Sequence, residues 1–186
     1  MKRVLAVLLG LIFLVGCSKT ENAMERALEL RKKLQSAEQC SFSAEITADY
    51  GQNVYTFGMQ CTMEPSGAVK FTVTSPDTIA GITGTMDSTG GKLTFDGKVL
   101  AFEKMADRQI TPVSAPWLLI QTLRGGYLSA CSKTEDGYRL TIDDSYEENA
   151  LQLEIWLDHD FVPKEAEILW QGKRFLSLVV TDFVIT

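Results

Sequence analysis

Residues able to do covalent or ionic chemistry are sparse in this 186-residue chain, which has one histidine, His159, and four cysteines, Cys17, Cys40, Cys61 and Cys131. His159 stands between Asp158 and Asp160, a trio whose side chains could ligate a cation. The trio falls in a turn between strand-like stretches, where polar residues are expected for backbone reasons, and no companion ligand is spaced to complete a site. Ser114 is not in a Gly-x-Ser-x-Gly elbow. Gly81, Gly84, Gly90 and Gly91 read as strand bends and turns rather than a phosphate loop. Cys131 has only Lys133 as a basic neighbour, so nothing marks an activated thiol. Trp117, Trp156 and Trp170 could line a sugar or lipid site, but each lies in an apolar pattern that suits a core. The expectation is a non-enzymatic protein, with no catalytic residue, no metal and no cofactor.

Cys17 has a different context. Met1-Lys2-Arg3 is followed by an uninterrupted apolar run from Val4 to Val15. The run is shorter than the about 20 residues a membrane-spanning helix needs, and it has the length of a signal-peptide core, about 7–15 residues. Leu14-Val15-Gly16-Cys17 directly after it resembles the lipobox of bacterial lipoproteins. The resemblance implies a signal peptide over residues 1–16, cleavage before Cys17, a covalent diacylglycerol on its thiol and an acyl group on the new N-terminus. It places the mature protein on the extracytoplasmic face of the cell membrane. Two acyl chains would make such anchoring stable where one chain alone is marginal.

The charge balance excludes other partners. Lys and Arg number 18 against 24 Asp and Glu, and removing Lys2 and Arg3 makes the formal net charge of −6 more negative still. Nucleic acid and anionic headgroups both require a basic footprint, so neither is an expected partner. The mature chain, residues 17–186, has one ordinary domain's length and is long enough to bury its own core.

Two periodicities divide that domain. Over about residues 20–38, Ala23, Ala27, Leu30, Leu34 and Ala37 recur at steps of four and three, which predicts an amphipathic helix with one narrow apolar stripe. Arg31, Lys32 and Lys33 come late, where cations suit a helix C-terminus. From about residue 41 to 186 the period is two. Phe42, Ala44, Ile46, Ala48 and Tyr50 form one alternating set, and Tyr55, Phe57, Met59, Cys61 and Met63 form the next across Gly51-Gln52-Asn53. Short strands follow at regular intervals to Ile185, with Asp96-Gly97 as a strong hairpin signal, and the long apolar run from Phe175 reads as a central strand. This spacing predicts a large antiparallel sheet or barrel.

Two features leave alternatives open. A hairpin register centred near Tyr50-Gly51 sets Cys40 opposite Cys61, which predicts a Cys40–Cys61 disulfide and a free Cys131; two buried free thiols are the competing reading. The second is the segment Pro116 to Leu123, a short helix apolar almost all round and closed by Gly125-Gly126. It is either a plug in the concave face of the sheet or a lid over an apolar cavity. Tyr55, Phe57, Met59, Trp117, Leu118, Ile120 and Leu123 are the residues that would line that cavity or form that lid.

The order of elements resembles the LolA-like lipoprotein-carrier superfamily. The residues that carry the resemblance are Phe95-Asp96-Gly97-Lys98, Ala115-Pro116-Trp117, Pro163-Lys164-Glu165-Ala166-Glu167-Ile168 and Asp182-Phe183-Val184-Ile185. It implies an α+β fold, a half-open antiparallel barrel of about eleven strands with an N-terminal helix and a short apolar helix over its concave face. Within the superfamily the chain is similar to lipidated members from endospore-forming, single-membrane bacteria, whose germination-lipoprotein subgroup associates with a cortex-remodelling amidase. That implies a non-enzymatic accessory module with a protein partner, such as a cell-wall or spore enzyme. The superfamily's other role implies a carrier of lipid or acyl chains instead. No basic side chain matches the one that guides cargo in such carriers, although Arg124 lies close to the helix.

Overall fold

The computed structural model describes residues 18–106 and 109–186; Cys17 and the signal-peptide stretch lie outside them. Helix α1 runs Ser18–Ser36, two residues earlier at each end than expected. Its stripe of Ala23, Ala27, Leu30 and Leu34 is buried, as a narrow apolar face on one side of a helix must be. The helix ends where the Ser36 hydroxyl turns back onto the Lys32 and Lys33 carbonyls (3.0 and 3.2 Å), using acceptors the helix leaves open.

The sheet begins with β1 (Cys40–Asp49), β2 (Val54–Met63), β3 (Val69–Ser75), β4 (Thr83–Asp87), β5 (Gly90–Phe95) and β6 (Lys98–Phe102). A two-stranded ribbon, β7 (Met105–Ala106) and β8 (Gln109–Ile110), and a 3₁₀ turn (Pro112–Ser114) lead into α2 (Ala115–Gly125). Then come β9 (Tyr127–Lys133), β10 (Tyr138–Asp143), β11 (Leu151–Leu157), β12 (Pro163–Trp170) and β13 (Lys173–Ile185). Eleven of these strands form one antiparallel sheet in the order β6-β5-β4-β3-β2-β1-β13-β12-β11-β10-β9. Every neighbour is a chain neighbour except the β1–β13 pair, which joins the two ends of the domain. The sheet does not close: β6 and β9 are its free edges. The expected eleven-stranded half-open barrel is the architecture found, and β13 is central.

Strand alternation buries one face. β1 and β11 alternate buried and less buried residues along their length, as a sheet covered on one side requires. β9 follows no such alternation and had no sequence signal; an edge strand packs few of its side chains. The buried face carries α1 and α2, and one continuous apolar cluster runs from the sheet through both helices.

The first hairpin departs from its expected register. Asp49 Oδ1 accepts the Gly51 N–H (2.8 Å), and the Tyr50 N–H donates to the Asn53 carbonyl (3.0 Å), with Gly51 at φ +86. This turn centres the hairpin beyond Gly51, so Cys40 faces Met63 and Cys61 faces Phe42. Among the described residues Cys40, Cys61 and Cys131 are free and buried, and the expected Cys40–Cys61 bond is not formed. A shift of one residue in the turn moves each partner by two, which keeps both cysteines on the same face but off the same rung.

Candidate functional site

The concave face is where ligand or partner chemistry would be sited, and α2 occupies it. Leu118, Leu119, Ile120 and Leu123 are buried, together with Ala115 and Pro116 at the helix start. The apolar side chains of this short helix are buried, while Trp117, Gln121 and Arg124 form a half-buried stripe along one side. Ser114 does not cap the helix through its side chain; its hydroxyl donates to the Thr111 carbonyl (2.6 Å) instead.

Three sets of hydrogen bonds seat α2. Arg31 of α1 donates from Nε to the Leu123 carbonyl (3.0 Å) and from Nη2 to the Gly126 carbonyl (2.7 Å). Gln35 Nε2 donates to the Arg124 carbonyl (2.7 Å). α1 thus caps the carbonyl end of α2, where a cation is also favoured by the helix dipole. On the other flank, Gln121 Nε2 donates to the Gly67 carbonyl in the β2–β3 turn (2.8 Å). Two glycines permit this seating. At Gly67, φ is +87 and a Cβ would run into Arg124 and Gln121; at Gly126 a Cβ would meet the Asp143 carbonyl and Ile142, each at 2.7 Å. In the sequence Arg31 is legible only as a cation late in a helix; its partners lie 92 and 95 residues away. α1 itself is pinned by Arg26, whose guanidinium stands over the rings of Phe161 (4.3 Å) and Tyr138 (5.7 Å).

The residues expected to line a cavity or form a lid separate into three groups. Phe57, Met59, Leu118, Ile120 and Leu123 join the buried cluster. Tyr55 does not: at 55% exposure it sits near the start of β2, with its ring beside that of Tyr50. Trp117 is half-buried and lies at the rim of a cleft of about 860 Å³. That cleft lies along α2 between Trp117, Gln121 and Thr122 on one side and Asp144, Asn149 and Trp170 on the other. Two of these residues each bury a polar atom away from the cleft surface, Trp117 Nε1 and Thr122 Oγ1, with no hydrogen-bond partner among the described residues.

An ion pair crosses the mouth of the half-barrel. Lys104 Nζ, just past β6, reaches Asp144 Oδ2, just past β10, at 3.0 Å. Asp144 is well held: its side chain is 14% exposed, its Oδ1 accepts the Leu151 N–H (2.8 Å), and its own N–H donates to the Leu151 carbonyl (2.8 Å). No sequence signal marked either residue, since neither belongs to a periodic element.

The Asp158-His159-Asp160 trio makes a turn. Asp158 Oδ1 accepts the N–H groups of Asp160 (2.9 Å) and Val162 (3.0 Å), and Oδ2 pairs with Lys164 (3.2 Å). Burial pushes the Asp158 carboxyl up, but the Val162 N–H, Lys164 and the Asp160 N–H outweigh it and hold the carboxyl below the usual aspartate value. Its lone pairs are engaged within the turn. Among the described residues no group of three His, Cys, Asp or Glu side chains is placed to hold a metal ion.

Fold and site define an open antiparallel half-barrel whose concave face is filled by its own helices. No protein-family model matches the chain, and no curated protein matches it. Among solved structures it is similar to an uncharacterized conserved protein from Thermus thermophilus, at 14% identity and a TM-score of 0.48, over 88% of this chain and 87% of that one. It is also similar to a putative outer membrane lipoprotein-sorting protein domain from Vibrio parahaemolyticus, at 12% identity and a TM-score of 0.47, over 89% and 93% of the two chains. A LolA superfamily protein from Nitrosomonas europaea is similar at 10% identity and a TM-score of 0.44, over 86% and 93%. At these identities and TM-scores the likenesses assign no function.

Proposed function

We propose that the protein is a lipid-anchored extracytoplasmic accessory module without catalytic activity, working through a protein partner in the cell envelope. The observation that carries this reading is the filled concave face. Leu118, Leu119, Ile120 and Leu123 occupy the space an acyl chain would need, and Arg31, Gln35 and Gln121 tie the helix that bears them. Opening the face would break these bonds and expose that apolar surface together, so α2 is a plug rather than a lid. The free edge β6 also suits a partner, with Val99 at 66% and Leu100 at 65% exposure beside unpaired backbone groups. Anchoring is read from Leu14-Val15-Gly16-Cys17.

Two measurements test the reading. Cys17→Ser moves the protein out of the membrane fraction and removes the mass of the acyl groups; a mutant that stays membrane-bound with unchanged mass sinks the anchor. A fluorescent fatty acid shows no saturable binding to the wild-type protein. Tight, saturable binding instead favours the carrier reading, in which the concave face exchanges its plug for a lipid chain.

A further inference from the structure

We propose that the cleft along α2 is a binding site for a short chain of neutral sugars. Its volume of about 860 Å³ falls in the range of small-ligand sites, about 300–1,000 Å³. One of its walls is α2 itself, so the site rests on the proposed function's reading of α2 as a seated plug.

The lining selects the ligand class. Besides the two tryptophans, nine of the fifteen described residues around the cleft carry hydrogen-bonding side chains, which makes it a poor bed for an acyl chain. Its one cation, Lys104, is already paired with Asp144, and Glu147 adds a further negative charge. An anionic ligand such as a phosphate or carboxylate is therefore disfavoured. The class that fits is a neutral molecule with both apolar faces and many hydroxyls. Trp117 and Trp170 offer broad apolar surfaces for the C–H faces of pyranose rings.

The amide side chains supply matching donors and acceptors. Gln171 Nε2 donates to Asn149 Oδ1 (3.3 Å), which leaves the Asn149 NH₂ and the Gln171 carbonyl open among the described residues. Gln121 spends its NH₂ on the Gly67 carbonyl and keeps its own oxygen open. Sugar hydroxyls both donate and accept, so neighbouring amides can engage them in pairs.

The test uses the full chain in phosphatidylcholine nanodiscs, read by tryptophan fluorescence and calorimetry. The probes are cellotetraose and tetra-N-acetylchitotetraose. Saturable binding of either sugar is expected, weakened at least about tenfold by Trp170→Ala and also weakened by Asn149→Ala, whose exposed position leaves folding intact. The proposal is overturned if neither sugar binds, or if binding persists unchanged in both variants. It is also overturned if a fluorescent fatty acid, not a sugar, binds in a manner that Asn149→Ala and Trp170→Ala weaken.

Discussion

Cys40 and Cys61 share a face of the first hairpin and lie on neighbouring rungs of that face, each with no solvent exposure. Burial pushes the Cys40 thiol up to about 12 and the Cys61 thiol higher still, and it raises Cys131 as well. The thiolate is the reactive form, so at neutral pH all three are protonated and screened, and they behave as small apolar side chains. Iodoacetamide at pH 8 is expected to leave Cys40 and Cys61 unlabelled in the native protein. After unfolding in guanidinium without reductant, Cys40, Cys61 and Cys131 all label. A Cys40–Cys61 crosslinked peptide under those conditions would contradict the free-thiol state.

α2 depends on α1 more than on its own sequence. Eleven residues make a helix that is marginal alone, and its carbonyl end is closed by side chains from another helix. Removing the Arg31 guanidinium leaves the Leu123 and Gly126 carbonyls without their charged donor. Arg31→Ala should lower stability by about 2 kcal/mol, the value for hydrogen bonds to a charged group, seen as a lower urea midpoint. Arg31→Lys should recover less than half of that loss, because one ammonium cannot reproduce the forked geometry that serves both carbonyls. A midpoint unchanged in Arg31→Ala would mean that apolar burial alone seats the helix.

At the scale of the molecule, the sheet has two arms that meet at the β1–β13 seam and end in free edges. Lys104–Asp144 is a direct link between the arms, from beyond β6 to beyond β10. Lys104→Ala is expected to release the β5–β6 arm, with its amides exchanging about tenfold faster while those of β1 and β13 keep their protection. Total stability should fall by roughly 1 kcal/mol, since the lysine is partly exposed and Asp144 retains the Leu151 N–H. Uniform acceleration across all strands would show that the pair supports the fold as a whole rather than one arm.

Much of the molecule is legible from local pattern. Period-two runs such as Phe42 to Tyr50 identify strands, the Ala23–Leu34 stripe identifies the helix and its buried face, and Asp96-Gly97 identifies a hairpin. The poverty of His and of nucleophile motifs, and the lipobox-like stretch at Cys17, are also properties of sequence alone. These signals are local because side-chain alternation and helical repeat are set by neighbours a few residues apart. The tertiary structure alone decided the register that separates Cys40 from Cys61, the exposure of Tyr55, and the edge strand β9. It also decided that Arg31 caps a helix some 90 residues away, that Lys104 meets Asp144, and that a polar cleft opens beside the plug. Each of these joins residues far apart in the chain or depends on a turn's geometry. Such contacts are chosen by how a whole sheet packs against two helices, a choice that no single segment encodes.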